Sequence, residues 1–258
     1  MRAIDDGPLL SESVTLQSPL PADDVRRVLA IFAHPDDIDF GAAGTVAHWV
    51  AQGIEVAYLV VTRGDAGGFD DTPRDQMPVL REAEQRAAAA AVGVTTVQFL
   101  DGYADGQVYV THELRRDLTR VIRQFRPDRV LTNSPVRRWD RLGGPNHPDH
   151  LAVGEATCAA VYPDARNPFA HPELLQHEGL EPWTVREVWF MGGPSPNHYV
   201  DITDTFPAKV AALRAHVTQL GHDPGFEERV RTRLTATARE AGLPEGRLAE
   251  SFTVLPSD

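Results

Sequence analysis

The chain has 258 residues and a formal charge of −12, which disfavours nucleic acid and anionic membrane surfaces as partners because both are bound through basic patches. No segment reaches the roughly 20 apolar residues of a membrane span, and the acidic N-terminus lacks the apolar stretch of a secretory signal, so we expect a cytoplasmic protein. The single cysteine, Cys158, excludes an internal disulfide and a cysteine-rich zinc cluster, so that a bound metal would need histidine, aspartate or glutamate ligands.

Residues 1–24 show no hydrophobic period and are predicted to form an N-terminal arm, followed by one domain over residues 25–258. Strand predictions rest on short apolar or β-branched runs at 27–33, 54–62, 96–100, 128–135, 185–191 and 199–203. Helix predictions rest on longer periodic segments at 41–53, 80–93, 112–125, 148–162, 204–220 and 226–242. This alternation predicts the α/β class, as a single-domain, Rossmann-like three-layer sandwich with a mainly parallel sheet.

Residues 163–183 interrupt the alternation with a proline-bearing stretch of little periodicity. Unstructured connections of this length are uncommon in compact domains and often functional. We therefore predict a lid or an excursion from the domain at this point.

Polar segments follow three of the predicted strands, where open α/β sheets gather their ligands. They are AHPDDIDFG at 33–41, TRGDAGG at 62–68 and NSPVRRWDRLGGPNHPDH at 133–150. The first and the last each contain His-Pro-Asp, and both are expected at the same end of the sheet. TRGDAGG has no lysine after its glycines, so it does not match a phosphate-binding loop.

These two His-Pro-Asp segments predict a metal site formed by His34, Asp37 and His150. Two imidazole nitrogens and one carboxylate leave a fourth zinc position for water, which is typical of a catalytic site. Ferrous iron also suits these ligands. Asp36 lies beside the ion in this arrangement, where its carboxylate can take a proton from the water.

Pro148 suits the first position of a helix, so we predict that His147 is the N-cap residue and that His150 lies in the first turn. His147 would then lie near the ion without binding it, where it could stabilise an oxyanion or protonate a departing amine. Asp149 would be free to orient a ligand histidine.

Simpler interpretations are also open. His-Pro-Asp is common in turns, and Asp36 and Asp37 could cap a helix that begins near Gly41, where the helix dipole favours acids. Two such segments at equivalent strand ends favour the metal site. The other histidines lack this context and are expected to be structural or solvent-facing, His216 among them.

AHPDDIDFGAAGT and NHPDHLAVGEAT together resemble the PIG-L/LmbE-like deacetylases, metal-dependent enzymes that remove acetyl groups from N-acetylated sugars. The resemblance extends from about residue 26 to at least residue 220, through TRGDAGG, REAEQRAAAAAVGV, FLDGYADG and KVAALRAHVTQ. It implies roles for five residues: metal binding by His34, Asp37 and His150, general-base catalysis by Asp36, and stabilisation of the intermediate or protonation of the amine by His147.

The same resemblance implies that Arg81 and Asp105 contact substrate hydroxyls. The alternatives are an exposed Arg81 that pairs with Glu84 and an Asp105 that serves only a turn. Two positions depart from the family pattern. Ile38 stands where many members have glutamate, and Pro145 stands where the mycothiol-pathway deacetylases have tyrosine.

These observations predict a zinc-dependent hydrolase that removes an N-acetyl group from an amino sugar or a glycosylated small molecule, in which water on the metal attacks the amide carbonyl and Asp36 is the base. One alternative is an amidase for a larger acyl group on a sugar-thiol conjugate or a secondary metabolite. Another is a non-catalytic member that binds sugar or metal, although a binder has no need of the general base. The predicted partner is a small N-acylated sugar, and the oligomeric state stays open, a homo-oligomer included.

Overall fold

The computed structural model describes residues 19–68, 71–140 and 142–257. Its strands are β1 (Arg27–Phe32), β2 (Glu55–Val60), β3 (Thr96–Phe99), β4 (Arg129–Asn133), β5 (Glu187–Met191), β6 (His198–Asp201) and β7 (Ala249–Pro256). Its helices are α1 (Asp37–Ala51), α2 (Met77–Ala91), α3 (His112–Phe125), α4 (Pro148–Ala159), α5 (Pro172–Gln176), α6 (Phe206–Ala215), α7 (Val217–Leu220) and α8 (Phe226–Glu240).

The strands form one sheet in the order β3-β2-β1-β4-β5-β7-β6. β3, β2, β1, β4 and β5 pair in parallel, whereas β7 pairs antiparallel with both β5 and β6. The predicted α/β fold with a mainly parallel sheet in a single domain is confirmed. The sequence prediction missed β7, although its SFTVL run has the β-branched and aromatic character of a strand.

Apolar side chains cover both faces of the central strands, which explains their nearly continuous hydrophobic sequences. Val28, Ala30 and Phe32 of β1 belong to the core on one face, and Leu29 and Ile31 belong to the core on the other. The first core includes buried residues of α1 and α2, and the second includes buried residues of α3 and α4. The sheet is thus the middle layer of a three-layer sandwich.

Several helix boundaries differ from the predicted ones. α1 begins at Asp37 rather than residue 41, which places the second carboxylate of the Asp-Asp pair in its first turn. α2 begins at Met77 rather than residue 80. The predicted helix over 204–220 is divided at His216, whose backbone is non-helical (φ −83°, ψ 66°), into α6 and α7.

The predicted N-terminal arm lies outside the described residues up to position 18. Within the described part of the predicted arm, Leu20 packs against the core of the sheet, and its N–H donates to Glu187 Oε2 at 2.9 Å.

The 163–183 excursion packs beside α3. Arg123 of α3 donates to the backbone oxygens of Asp164, Ala165 and Asn167 at 2.8–3.1 Å. At the far end of the segment, Trp183 Nε1 donates to Pro127 O at 2.7 Å. These contacts anchor both ends of the segment to the domain, and its use as a lid stays a prediction. Across the described ranges, no helix has the length and apolar composition needed to cross a membrane.

Candidate metal centre and active site

Two segments approach each other at the carboxyl end of the parallel strands. The turn after β1 carries His34, and it is tied to the end of β4 by a hydrogen bond from Ala33 N–H to Asn133 Oδ1 at 3.2 Å. Gly154 lets α4 pack closely on the same strand end, since a Cβ there would lie 2.4 Å from Asn133 O. The first turn of α4 therefore brings His150 against the β1 turn.

Four donor atoms of three residues converge where these segments meet. His34 Nδ1 lies 3.2 Å from His150 Nε2, which lies 2.9 Å from Asp37 Oδ1, and His34 Nδ1 lies 3.6 Å from Asp37 Oδ2. In a tetrahedral zinc site with bonds of about 2.0–2.1 Å, neighbouring ligand atoms are about 3.3 Å apart. The donor set therefore fits a single divalent cation, and its nitrogen and oxygen atoms suit zinc or ferrous iron.

The second ring nitrogen of His34 faces two carboxylates. Its Nε2 lies 3.0 Å from Asp105 Oδ1 and 3.1 Å from Asp149 Oδ2. Burial lowers the pKa of His34, but the hydrogen bonds to Asp105, Asp149 and Asp37 outweigh burial and raise the pKa to about 12. Carboxylates in this position keep a proton on Nε2, so that a bound cation would replace the second ring proton, on Nδ1.

Asp149 also fastens a loop to the site. Its fully buried carboxylate accepts hydrogen bonds from the backbone N–H groups of Gly106 at 2.7 Å and Val108 at 3.2 Å. Two further sets of donor atoms lie within 4.8 Å of one another: those of His34, His147 and His150, and those of His34, Asp105 and Asp149. Asp105 and Asp149 both contact His34 through Nε2, so Nδ1 remains for the cluster of His34 Nδ1, Asp37 and His150, which is the candidate for the cation.

Asp36 has a strained backbone next to this cluster. Its φ of +91° lies in the left-handed region that side chains other than glycine rarely adopt, at a cost of about 1–3 kcal/mol. Although Asp36 is the N-cap residue of α1, its side chain makes no capping hydrogen bond, so the capping interpretation is wrong for this residue. Its Oδ2 instead accepts from Arg81 at 3.1 Å. Burial raises the pKa of the Asp36 carboxyl to about 6, against the opposing charge of Arg81.

His147 is the N-cap residue of α4, as predicted, and its Nδ1 accepts the Asp149 N–H at 3.3 Å. In the neutral ring this contact places the proton on Nε2. Burial, followed by the neighbouring charges of His34 and His150, lowers the pKa of His147. Its ring centroid lies 4.8 Å from that of His34 and 5.3 Å from that of His150, so a neutral N–H donor stands next to the ligand cluster.

Arg81 and Asp105 both border the site. Arg81 is only 4% exposed and pairs with Asp36, while Glu84 accepts hydrogen bonds from Thr218, so the interpretation of Arg81 as an exposed partner of Glu84 is wrong. Asp105 lies in a turn, and its carboxylate reaches His34. Contact of either side chain with a substrate hydroxyl stays a prediction.

The sequence reasoning missed a buried polar network behind Asp36. Gln85 contacts Asp36 and Asp39, and Asp39 Oδ2 lies 2.8 Å from His216 Nε2. Asp39, Gln85 and His216 are all fully buried. The available signal was a pair of polar residues, Lys209 and His216, on either side of the apolar VAALRA run.

Known proteins are similar to this chain over the stretch that contains the candidate site. The stretch 29–161 matches the family model described as PIG-L: GlcNAc-PI de-N-acetylase. The diacetylchitobiose deacetylase of Thermococcus kodakarensis is 34% identical over 204 residues, which cover 79% of this chain and 73% of the relative. The 1D-myo-inositol 2-acetamido-2-deoxy-alpha-D-glucopyranoside deacetylase of Mycobacterium sp. (strain JLS) is 31% identical over 252 residues, which cover 82% of this chain and 80% of the relative.

A solved structure is similar over nearly the whole chain. The N,N'-diacetylchitobiose deacetylase from Pyrococcus horikoshii superimposes with a TM-score of 0.85 at 29% identity, covering 96% of this chain and 91% of the other. Sequence and fold thus point to the same group of relatives.

Proposed function

The chain belongs to the PIG-L family of deacetylases, and on that premise we propose that it hydrolyses the N-acetyl group of an N-acetylglucosamine-type sugar. The observation that carries the proposal is the convergence of His34 Nδ1, Asp37 and His150 Nε2, with Asp36 next to Asp37 in the chain and in electrostatic interaction with Asp37 and His34. Metal-dependent amide hydrolysis uses a cation, a base and a hydrogen-bond donor for the carbonyl oxygen. His34, Asp37 and His150 supply ligands for the cation, and Asp36 and His147 are candidates for the base and the donor.

His34, Asp37 and His150 would hold the metal, which we propose to be zinc, with ferrous iron as the alternative. When bound, such an ion lowers the pKa of a water molecule and polarises the amide carbonyl. Asp105 and Asp149 support this arrangement, since their hydrogen bonds to Nε2 keep the His34 ring oriented with Nδ1 towards the other two ligands.

Asp36 would accept the proton of the attacking water. A carboxyl whose pKa is raised to about 6 is better matched to proton transfer near neutral pH than an ordinary aspartate. The His147 Nε2–H would donate to the carbonyl oxygen as negative charge develops on it. The C–N bond then breaks, the nitrogen receives the proton that Asp36 took from the water, and acetate and the free amine leave.

The proposed substrate class rests on the relatives, whose names specify diacetylchitobiose and an acetamido-glucopyranoside of inositol. Arg81 and Asp105 are proposed to contact sugar hydroxyls, because they border the site through Asp36 and His34. The lone cysteine and the acidic charge support a cytoplasmic enzyme.

The direct test measures the metal content of the purified protein and the release of primary amine from N-acetylglucosamine, N,N'-diacetylchitobiose and N-acetylglucosaminyl-inositol. We expect equal amounts of acetate and amine from at least one of these sugars. N-hexanoylglucosamine tests the alternative of a larger acyl group, which faster turnover of that compound would support. Absence of amine release from every N-acetylated sugar by the metal-loaded protein would contradict the proposal.

A further inference from the structure

Two side chains of α2 hold the peptide group that joins Pro35 to Asp36. Arg81 donates to Pro35 O at 2.6 Å, and Gln85 Oε1 accepts the Asp36 N–H at 2.8 Å. Arg81 and Gln85 are four positions apart on α2, which places them on the same face of the helix. Both hydrogen-bonding groups of this one peptide are therefore bound by a single rigid element.

These two hydrogen bonds hold a peptide whose next residue has a strained backbone. A non-glycine residue at φ +91° persists only when its surroundings hold it there. The same backbone angle sets the direction of the Cα–Cβ bond, and so determines where the Asp36 carboxylate points. Arg81 adds a second constraint by donating to Asp36 Oδ2 at 3.1 Å.

The orientation of the Gln85 amide is itself determined by its partners. Gln85 Nε2 donates to Asp39 Oδ2 at 2.9 Å, and the same oxygen lies 2.8 Å from His216 Nε2. Since Asp39 can only accept and the Asp36 N–H can only donate, the amide oxygen must face Asp36. The three side chains of this hydrogen-bonded chain, Gln85, Asp39 and His216, are fully buried.

We propose that Gln85 is a positioning residue for the general base, with Asp39 and His216 fixing its amide. It acts by holding the Asp36 backbone in the left-handed conformation, from which the carboxylate meets Arg81 and lies next to Asp37 in the chain. The inference rests on the proposed function, because Asp36 is a base only if the chain is a deacetylase.

Gln85→Met keeps the length of the side chain and removes both hydrogen bonds. We expect kcat to fall on the order of 10²-fold, as a misplacement of about 1 Å can cause, with metal content and KM close to those of the unaltered protein. Gln98→Met makes the same chemical change at an exposed position of β3 and should leave kcat unchanged.

A second pair of variants separates positioning from general loss of packing. Gln85→Glu turns a carboxylate oxygen towards Asp39, so the two anions repel and kcat should fall. In the double variant Gln85→Glu with Asp39→Asn, the amide NH2 at position 39 donates to the carboxylate at position 85. The same amide can also donate to a neutral His216. We expect this double variant to recover at least tenfold in kcat over Gln85→Glu alone.

The conformation of Asp36 is the readout that does not depend on turnover. In a crystal structure of Gln85→Met we expect Asp36 to leave the left-handed region. Three results would each overturn the inference. They are an Asp36 φ that stays near +91° in Gln85→Met, an undiminished kcat in Gln85→Met, and no recovery of kcat in the double variant. Failure of the unaltered protein to release amine would instead refute the proposed function, and the backbone measurement would still decide whether Gln85 holds the peptide.

Discussion

Lys209 provides the sharpest test of what holds the first turn of α1 in place. Its side chain is fully buried, and Nζ donates to Asp39 O at 2.7 Å, Phe40 O at 3.0 Å and Glu250 Oε1 at 2.7 Å. Since α1 begins at Asp37, these bonds fasten the helix turn that carries a proposed metal ligand to α6 and β7.

Lys209→Met removes the cation and leaves the Glu250 carboxylate buried without a counter-charge. Breaking a buried ion pair in this way costs about 3–5 kcal/mol. Glu250 keeps hydrogen bonds from Gly44 N–H, Thr45 N–H and the Thr45 hydroxyl at 2.6–3.1 Å, which partly compensate its charge. We therefore expect a loss near the lower end, about 3 kcal/mol in the free energy of unfolding.

Urea denaturation followed by circular dichroism measures this loss. Arg214→Met is the matched control, because Arg214 lies on the same helix, is 65% exposed in its side chain, and pairs with Glu227; its loss should cost less than about 1 kcal/mol. Adding Glu250→Gln to Lys209→Met removes the uncompensated charge and should restore at least about 1 kcal/mol. A cost below about 1 kcal/mol for Lys209→Met, equal to that of the control, would refute the reasoning.

Three further predictions concern the proposed centre. Asp36→Asn should retain the metal and lose about 10²–10⁴-fold in kcat, since it removes the proton acceptor, and normal turnover would exclude Asp36 as the base. His150→Ala should lose metal on dialysis because it deletes one of three ligands, and an unchanged metal content would remove His150 from the set. Asp149→Asn should weaken metal affinity about 10–100-fold through the orientation of His34, measured by competition with a chromophoric chelator. Unaltered affinity in that variant would show that Asp105 alone orients the ring.

Local patterns in the sequence were enough for most of the architecture. Alternating apolar runs and amphipathic segments predicted the parallel strands and their helices, and β7 was missed at the chain end. The N-cap position of His147 was also predictable, because a cap and the proline after it are adjacent in the chain. The proximity of His34 and Asp37 was predictable for the same reason, because the two residues are three positions apart in one turn after a strand.

The partners of those side chains were decided only by tertiary structure. Arg81 could not be assigned to Asp36 rather than Glu84 from the sequence, since the true partner lies 45 positions away and the alternative lies on the next turn of the same helix. Asp39 and His216 are 177 positions apart, and their contact exists because α6 packs beside α1.

For this protein, sequence alone determined the fold class and the two His-Pro-Asp segments from which the centre is proposed, because strand ends and caps are short-range features. Only the tertiary structure decided which nitrogen of His34 faces Asp37 and His150, which carboxylates contact the other nitrogen, and which side chains hydrogen-bond the peptide before Asp36. Those features depend on burial and on distances between elements far apart in the chain, and no local pattern records either.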